Sequence, residues 1–273
     1  EGLAEIIVCA GNFHGRTITI ISFSSDPQYR AGYSPYTPGF VTIPFGDADA
    51  LEEAITENTV AFLVEPIQGE GGINVPPEGY LKEAARICQE HGILLMADEI
   101  QTGLGRTGKL FACDHEGVKP DVMILGKALS GGVYPVSVVL SSREVLGVFQ
   151  PGDHGSTYGG NPLGCAVAQT ALDVLVEEGM IENSAVMGEY FQDQLWEIPS
   201  PHVKEVRGKG LLIGVEIKIE SGPARKFCEA LQERGVLAKT AHEQVIRFAP
   251  PLIVTQQDLD WALERIRPVL LKE

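Results

Sequence analysis

The sequence predicts an α/β protein: a mostly parallel sheet sandwiched by helices, followed by a smaller C-terminal α+β domain. Three observations carry this. TVAFLVEPI (59–67), ILLMADE (93–99) and DVMILG (121–126) are continuous apolar runs, not alternating ones, as expected of strands covered on both faces. Helical patterns alternate with the strand-like runs, which is the arrangement that makes neighbouring strands parallel. After Asn161 the character changes to two long helices and then a mixture of short strands and helices. The expected division is a large domain over 1–179 and a small one over 180–273.

Taken in order, EIIVCA (5–10) and VTIPF (41–45) are β-rich strand candidates. Asp47 suits an N-cap for the helical spacing of DADALEEAI. TVAFLVEPI is ended by its proline. PPEGYLKEAARICQEHG is an amphipathic helix with proline at its start and Gly92 at its end. The apolar strands ILLMADE and DVMILG follow. NPLGCAVAQTALDVLVEEGM is one long helix, and Ile181 to Trp196 is a second. VKEVRGKGLLIGVEIK contains strands, PARKFCEALQERG a helix, VIRFAPPL a strand, and a last helix begins at Thr255.

Composition narrows the functional classes. With 21 basic and 37 acidic residues the net charge is −16, which disfavours nucleic acid or an anionic membrane surface as the main partner. No apolar run approaches the roughly 20 residues of a membrane span. The first residues carry no signal-peptide layout. Five widely spaced cysteines without a C-x-x-C pattern argue against disulfides and zinc, and point to a reducing, cytoplasmic setting with no metal.

Within PDVMILGKALSGGVYPVSVVL (120–140), Lys127 directly follows an apolar strand, and Asp98 closes the neighbouring strand ILLMAD. Ligands of parallel sheets bind beyond the carboxyl ends of the strands. Two opposite charges at strand ends suit a buried ion pair. They equally suit a cofactor site, in which a partly desolvated lysine attacks an aldehyde and a carboxylate partners a pyridine nitrogen. Phe13 in GNFHGRT offers a ring at another strand end, or a core side chain. HGSTYGGNP (154–162) is a glycine-rich, hydroxyl-bearing loop before a helix, a weak phosphate-site signal. Glu65 and Glu70 lie in EPIQGEGG, where solvated loop carboxylates are the usual case.

These motifs, namely NFHGRT, VEPIQGEGG, ADEIQTGLGRTGK, LGKALSGGVYPVS, HGSTYGGNPLG, VRGKGLL and IRFAPPL, run in the order found in the class III, or ω-amino-acid, aminotransferases. The chain resembles that family over essentially its whole length. The resemblance implies the fold-type I transferase architecture, pyridoxal 5'-phosphate as cofactor, and a homodimer with shared active sites. Position by position, it implies that Lys127 bonds the cofactor aldehyde and then shuttles the proton. Asp98 partners the pyridine nitrogen, Gln101 lies near the phenolic oxygen, and Phe13 and Ile100 sandwich the ring. Ser156 and Thr157 contact phosphate across the dimer. Arg247 is masked by Glu70, and Arg16 holds the distal carboxylate of the amino donor. Bidentate arginine–carboxylate geometry suits both arginine roles.

The implied reaction moves the δ-amino group of ornithine to 2-oxoglutarate, giving glutamate γ-semialdehyde and glutamate. Alternatives within the class act on acetylornithine or 4-aminobutyrate, and the non-catalytic alternative is an inactive piece of such an enzyme. Family members are usually longer at the N-terminus, where a glycine-rich phosphate loop and pocket aromatics are expected.

Overall fold

A computed structural model describes residues 3–272. The chain forms two compact units. The first runs up to Pro66 and adds Pro76–Gln101 and Cys113–Leu175. The second combines Ile67–Val75, Thr102–Ala112 and the chain from Val176 onward. The main change of unit, at 175/176, falls near the expected cut at 179/180. The two short excursions into the second unit are absent from the sequence expectation.

In the first unit, β1 (Glu5–Cys9), α1 (Ile18–Ser22), α2 (Pro27–Arg30), β2 (Phe40–Ile43), α3 (Ala48–Ala54), β3 (Thr59–Val64), α4 (Tyr80–His91), β4 (Leu94–Asp98), β5 (Val122–Leu125), β6 (Val138–Ser141), α5 (Arg143–Leu146) and α6 (Pro162–Glu177) follow in order. The sheet order is β2-β1-β3-β4-β5-β6, with all pairings parallel except that of β6 with β5. The antiparallel edge strand β6 is absent from the sequence expectation. It is short and largely solvent-facing, with Val139 and Leu140 exposed, so its apolar pattern does not mark a buried strand.

Successive residues of a strand face opposite sides of the sheet. Ile7, Cys9, Phe62, Val64, Leu95 and Ala97 face α3 and α4, meeting Leu51, Leu81, Ala84 and Ile87. Full burial of the larger of these, such as Ile7, Phe62, Leu51 and Ile87, contributes about 1.5–3 kcal/mol each. The capping is as the residue types dictate: Asp47 accepts from Ala50 N at 2.9 Å, and Gly92 closes α4 in the left-handed region. On the opposite face Val8 and Leu63 pack with Phe23, joined by Ile20, Met96 and Ile124. Asp98 has the same parity as Met96 and so emerges on that second face.

The second unit contains α7 (Met180–Trp196), β7 (Val203–Lys209), β8 (Leu212–Ile217), α8 (Ala224–Gln232), β9 (Lys239–Ala241), β10 (Val245–Phe248) and α9 (Gln256–Leu270). Its sheet, in the order β7-β8-β10-β9, is antiparallel throughout. Ile213, Val215, Ile217, Ile246 and Phe248 face the three helices, meeting Phe191, Phe227, Leu231, Leu263 and Ile266. Leu212 and Val245 face the other way and are covered by Ile67 and Ile73 of the hairpin 67–75. Among the described residues no helix is long and apolar enough to cross a membrane.

Candidate active site

In the first unit, chemistry collects at the carboxyl ends of β1, β4 and β5. Asp98, the last residue of β4, is 5% exposed. Its Oδ1 accepts from Ile100 N at 3.0 Å, and its Oδ2 lies 2.7 Å from His14 Nδ1. His14 is equally enclosed, and its Nε2 is buried with no hydrogen-bond partner. Phe13 donates its backbone N–H to Glu65 Oε1 at 2.8 Å, so a buried carboxylate sets the course of the loop after β1. His14 has no role in the sequence reading, and the solvated-carboxylate expectation for Glu65 is corrected: it is 6% exposed. The signal for His14 was its place beside Phe13, but pairing with a residue 84 positions away needs the fold.

Lys127 follows β5 through Gly126, which is still extended at φ −172° and ψ −151°. Lys127 then takes φ +43°, an unusual value for a residue with a side chain, and opens a short 3-10 turn, Lys127–Ser130. The pattern-based expectation of a shielded amine is corrected here: Lys127 is exposed. The packed layer ends at Gly126, and the left-handed residue leaves that layer. A methyl group on Gly126 would sit 3.5 Å from the Ile100 side chain, so Ile100 borders the Lys127 turn. Gly131, at φ +55°, closes the turn against Ala171 of α6.

Arg16 is exposed, with its guanidinium 4.3 Å from the centroid of the Tyr29 ring and 5.7 Å from that of Phe13. Phe13 and Tyr29 meet edge to face at 5.6 Å. The fold therefore brings Arg16 and Phe13 together and adds Tyr29, which the sequence reading passed over. Gln101 is half-buried at the end of the segment that begins with Asp98. Ser156 and Thr157 lie in a fully exposed loop; Ser156 Oγ accepts from Gly159 N at 2.9 Å.

In the second unit, Arg247 of β10 donates through Nη1 to Glu70 Oε1 at 2.6 Å. Both side chains are about four-fifths buried, at 15% and 21% exposure. Lys239 Nζ approaches Glu70 Oε2 at 3.7 Å but is mostly exposed. Behind this pair Arg106 donates to the carbonyls of Leu211, at 3.1 Å, and Pro250, at 2.6 Å. Burial, with a smaller contribution from the like charge of Arg247, lowers its pKa to about 10.

Residues 1–270 match the family model for aminotransferase class-III. The chain belongs to the aminotransferase class-III family. It is 59% identical over 270 residues to the ornithine aminotransferase of Bacillus subtilis (strain 168), covering 99% of this chain and 67% of that protein. Among solved structures, an ornithine aminotransferase from Toxoplasma gondii superposes with a TM-score of 0.96 at 46% identity, covering 98% of this chain and 64% of that one. PLP occupies the active site of that structure in part. An acetylornithine aminotransferase from Elizabethkingia anophelis gives 0.85 at 43% identity, covering 100% and 66%. The chain thus spans about two thirds of the length of the relatives it matches.

Class-III aminotransferases use pyridoxal phosphate, and the residue types in the first unit fit it. An enclosed carboxylate on Asp98 suits a protonated pyridine nitrogen. The amine of Lys127 suits an aldehyde, and the half-buried Phe13 and Ile100 offer apolar surface for a flat ring.

Proposed function

We propose that the full-length protein transfers the terminal amino group of ornithine to 2-oxoglutarate, yielding glutamate γ-semialdehyde and glutamate. The observation that carries this reading is the 2.6 Å pair between Arg247 and Glu70. An uncovered arginine near the reacting carbon would bind an α-carboxylate and favour α-amine chemistry. A covered one leaves the terminal amine as the group presented. The 59% identity to the Bacillus subtilis ornithine aminotransferase supports the same donor.

In this reading Lys127 Nζ holds the aldehyde end of the cofactor and Asp98 holds the ring nitrogen, with His14 fixing Asp98. Gln101 lies by the phenolic oxygen, Phe13 and Ile100 flank the ring, and Ser156 and Thr157 reach the phosphate of a second subunit. When bound, pyridoxal phosphate supplies an electron sink for the charge left as the substrate carbon loses its proton. Lys127 Nζ would move that proton from the δ-carbon of ornithine to the cofactor's aldehyde-derived carbon, and in the second half would move a proton the opposite way, to the α-carbon of the glutamate being formed. Arg16, steered by Tyr29, binds ornithine's α-carboxylate. When 2-oxoglutarate arrives, Glu70 gives up Arg247 to the incoming carboxylate.

A homodimer is part of the proposal. Its support is the apolar surface left exposed on β6 and α6, including Val139, Leu140, Leu163 and Val176. The test is Lys127→Ala in full-length protein. Turnover of ornithine with 2-oxoglutarate is expected to vanish, together with the borohydride-fixed mass increment of the cofactor. Retained turnover would remove Lys127 from the chemistry. Faster turnover of acetylornithine or 4-aminobutyrate by the unaltered protein would reassign the donor.

A further inference from the structure

The hairpin that carries Glu70 is held by more than its carboxylate. In the second sheet, Arg207 of β7 pairs in register with Gly214 of β8, Gly214 with Arg247 of β10, and Arg247 with Lys239 of β9. Cross-strand partners project from the same face. Arg207, Gly214, Arg247 and Lys239 therefore form one row, and the hairpin 67–75 lies along it.

Each member of the row has its own grip. At one end Arg247 and Lys239 take the Glu70 carboxylate. At the other, Arg207 takes main-chain carbonyls: Nε donates to Ile73 O at 3.0 Å and Nη2 to Gly72 O at 2.8 Å. Its Nη1 is anchored by Glu205, at 2.8 Å, and by Glu216. Glu216 is kept ionised: burial opposes this, but hydrogen bonds from Lys204 and Arg207 outweigh it and lower its pKa. Between the two ends, Gly214 leaves the space that Ile73 fills, since a methyl group there would lie 2.9 Å from Ile73 Cβ.

The hairpin is also strained. Ile73 is fully buried at φ +52°, a conformation that a β-branched residue adopts only where its surroundings impose it. The ladder between Gln68 and Asn74 closes the loop, and the grip on the carbonyls of Gly72 and Ile73 holds the strained residue down. The main-chain grip does not involve the Glu70 carboxylate. Breaking the Glu70–Arg247 contact therefore removes none of these main-chain hydrogen bonds directly.

We propose that Arg207 is a positioning residue that pins the Glu70 hairpin on this row and thereby sets the preference for the terminal over the α-amine. The proposal rests on the reading of Glu70 as the cover of Arg247. The test uses the full-length, cofactor-loaded enzyme and single-turnover rates with ornithine and with glutamate, each as kcat/KM. In Arg207→Lys the ornithine-to-glutamate ratio is expected to fall by about tenfold, the size typical of a perturbed coupling. The double variant with Glu70→Ala is expected to add nothing to Glu70→Ala alone. A merely structural arginine would lower both rates together and leave the ratio in place.

Gly214→Ala lifts the hairpin through Ile73 while keeping the arginine at position 207, and the ratio is expected to fall there too. It serves as the deciding variant if Arg207→Lys does not fold. A ratio that shifts in Glu70→Ala but stays at the wild-type value in Arg207→Lys, or in Gly214→Ala where that variant decides, overturns the role of Arg207. A ratio unmoved in Glu70→Ala overturns the cover itself, and the role of Arg207 with it.

Discussion

Replacing Glu70 with alanine removes the resident anion from Arg247 without changing any strand. The lost contact is a charge-assisted hydrogen bond of 2.6 Å between side chains of 15% and 21% exposure. Coulomb attraction of two unit charges at about 4 Å is about 4 kcal/mol at an effective dielectric constant near 20. The residual exposure and the cost of desolvating the carboxylate reduce this to the usual net value for such a bond, about 1.5–3 kcal/mol. Lys239, two-thirds exposed and 3.7 Å away, adds little. An α-carboxylate that binds Arg247 must displace Glu70, so removing the competitor returns that amount to the incoming ligand. The kcat/KM for glutamate should therefore rise roughly 10- to 150-fold, while that for ornithine should not rise. Stopped-flow absorbance of the cofactor in single turnovers of the full-length enzyme reads both values. A ratio within about twofold of the unaltered enzyme would show that the pair does not govern which amine reacts.

Other consequences follow from single contacts. His14→Phe keeps a ring but removes the 2.7 Å partner of Asp98, and cofactor affinity measured by absorbance titration should weaken about tenfold; unchanged affinity would reduce His14 to packing. A methyl group on Gly210 would lie 2.4 Å from the Thr107 carbonyl carbon, at φ +52°, so Gly210→Ala should cost about 3 kcal/mol or more, seen as a lowered Tm. Burial raises the thiols of Cys9 and Cys88 to about 12 and that of Cys228 to about 11, and raises Cys113 as well. Iodoacetamide at about pH 8.5 should leave these four unlabelled in folded protein and label them after denaturation, as mass spectrometry would record. Because the folded pKa values lie above the unfolded 9.0, the stability these neutral thiols contribute is fully present below about pH 9 and lost as pH rises toward 12. Chemical denaturation that is insensitive to pH across that window would refute the linkage.

Much of the fold was legible because it depends on local rules. Continuous apolar runs at 59–67, 93–99 and 121–126 mark central strands, and β3, β4 and β5 lie within them. Asp47 and Gly92 mark helix ends through capping chemistry that acts within a few residues. Where those rules weaken, so does the reading. The edge strand β6 is half in solvent, α1 and α2 are only five and four residues long, and β9 has three residues. The exposure of Lys127 is not legible because a run of apolar letters does not reveal that Lys127 takes a left-handed conformation and leaves the layer.

By itself the sequence determined the order of the longer elements, the family and the residue types available for its chemistry, because periodicity, caps and ordered motifs are properties of neighbouring residues. Apart from the Arg247–Glu70 pair, which the family resemblance implied, only the tertiary structure decided which of those residues meet. Arg247 and Glu70 are separated by 177 positions, Arg207 and Gly72 by 135, and His14 and Asp98 by 84. Such pairs are set by strand register, by which face a side chain leaves, and by glycines such as Gly214 that let one segment approach another. These are relations between distant parts of the chain, and no local spacing encodes them.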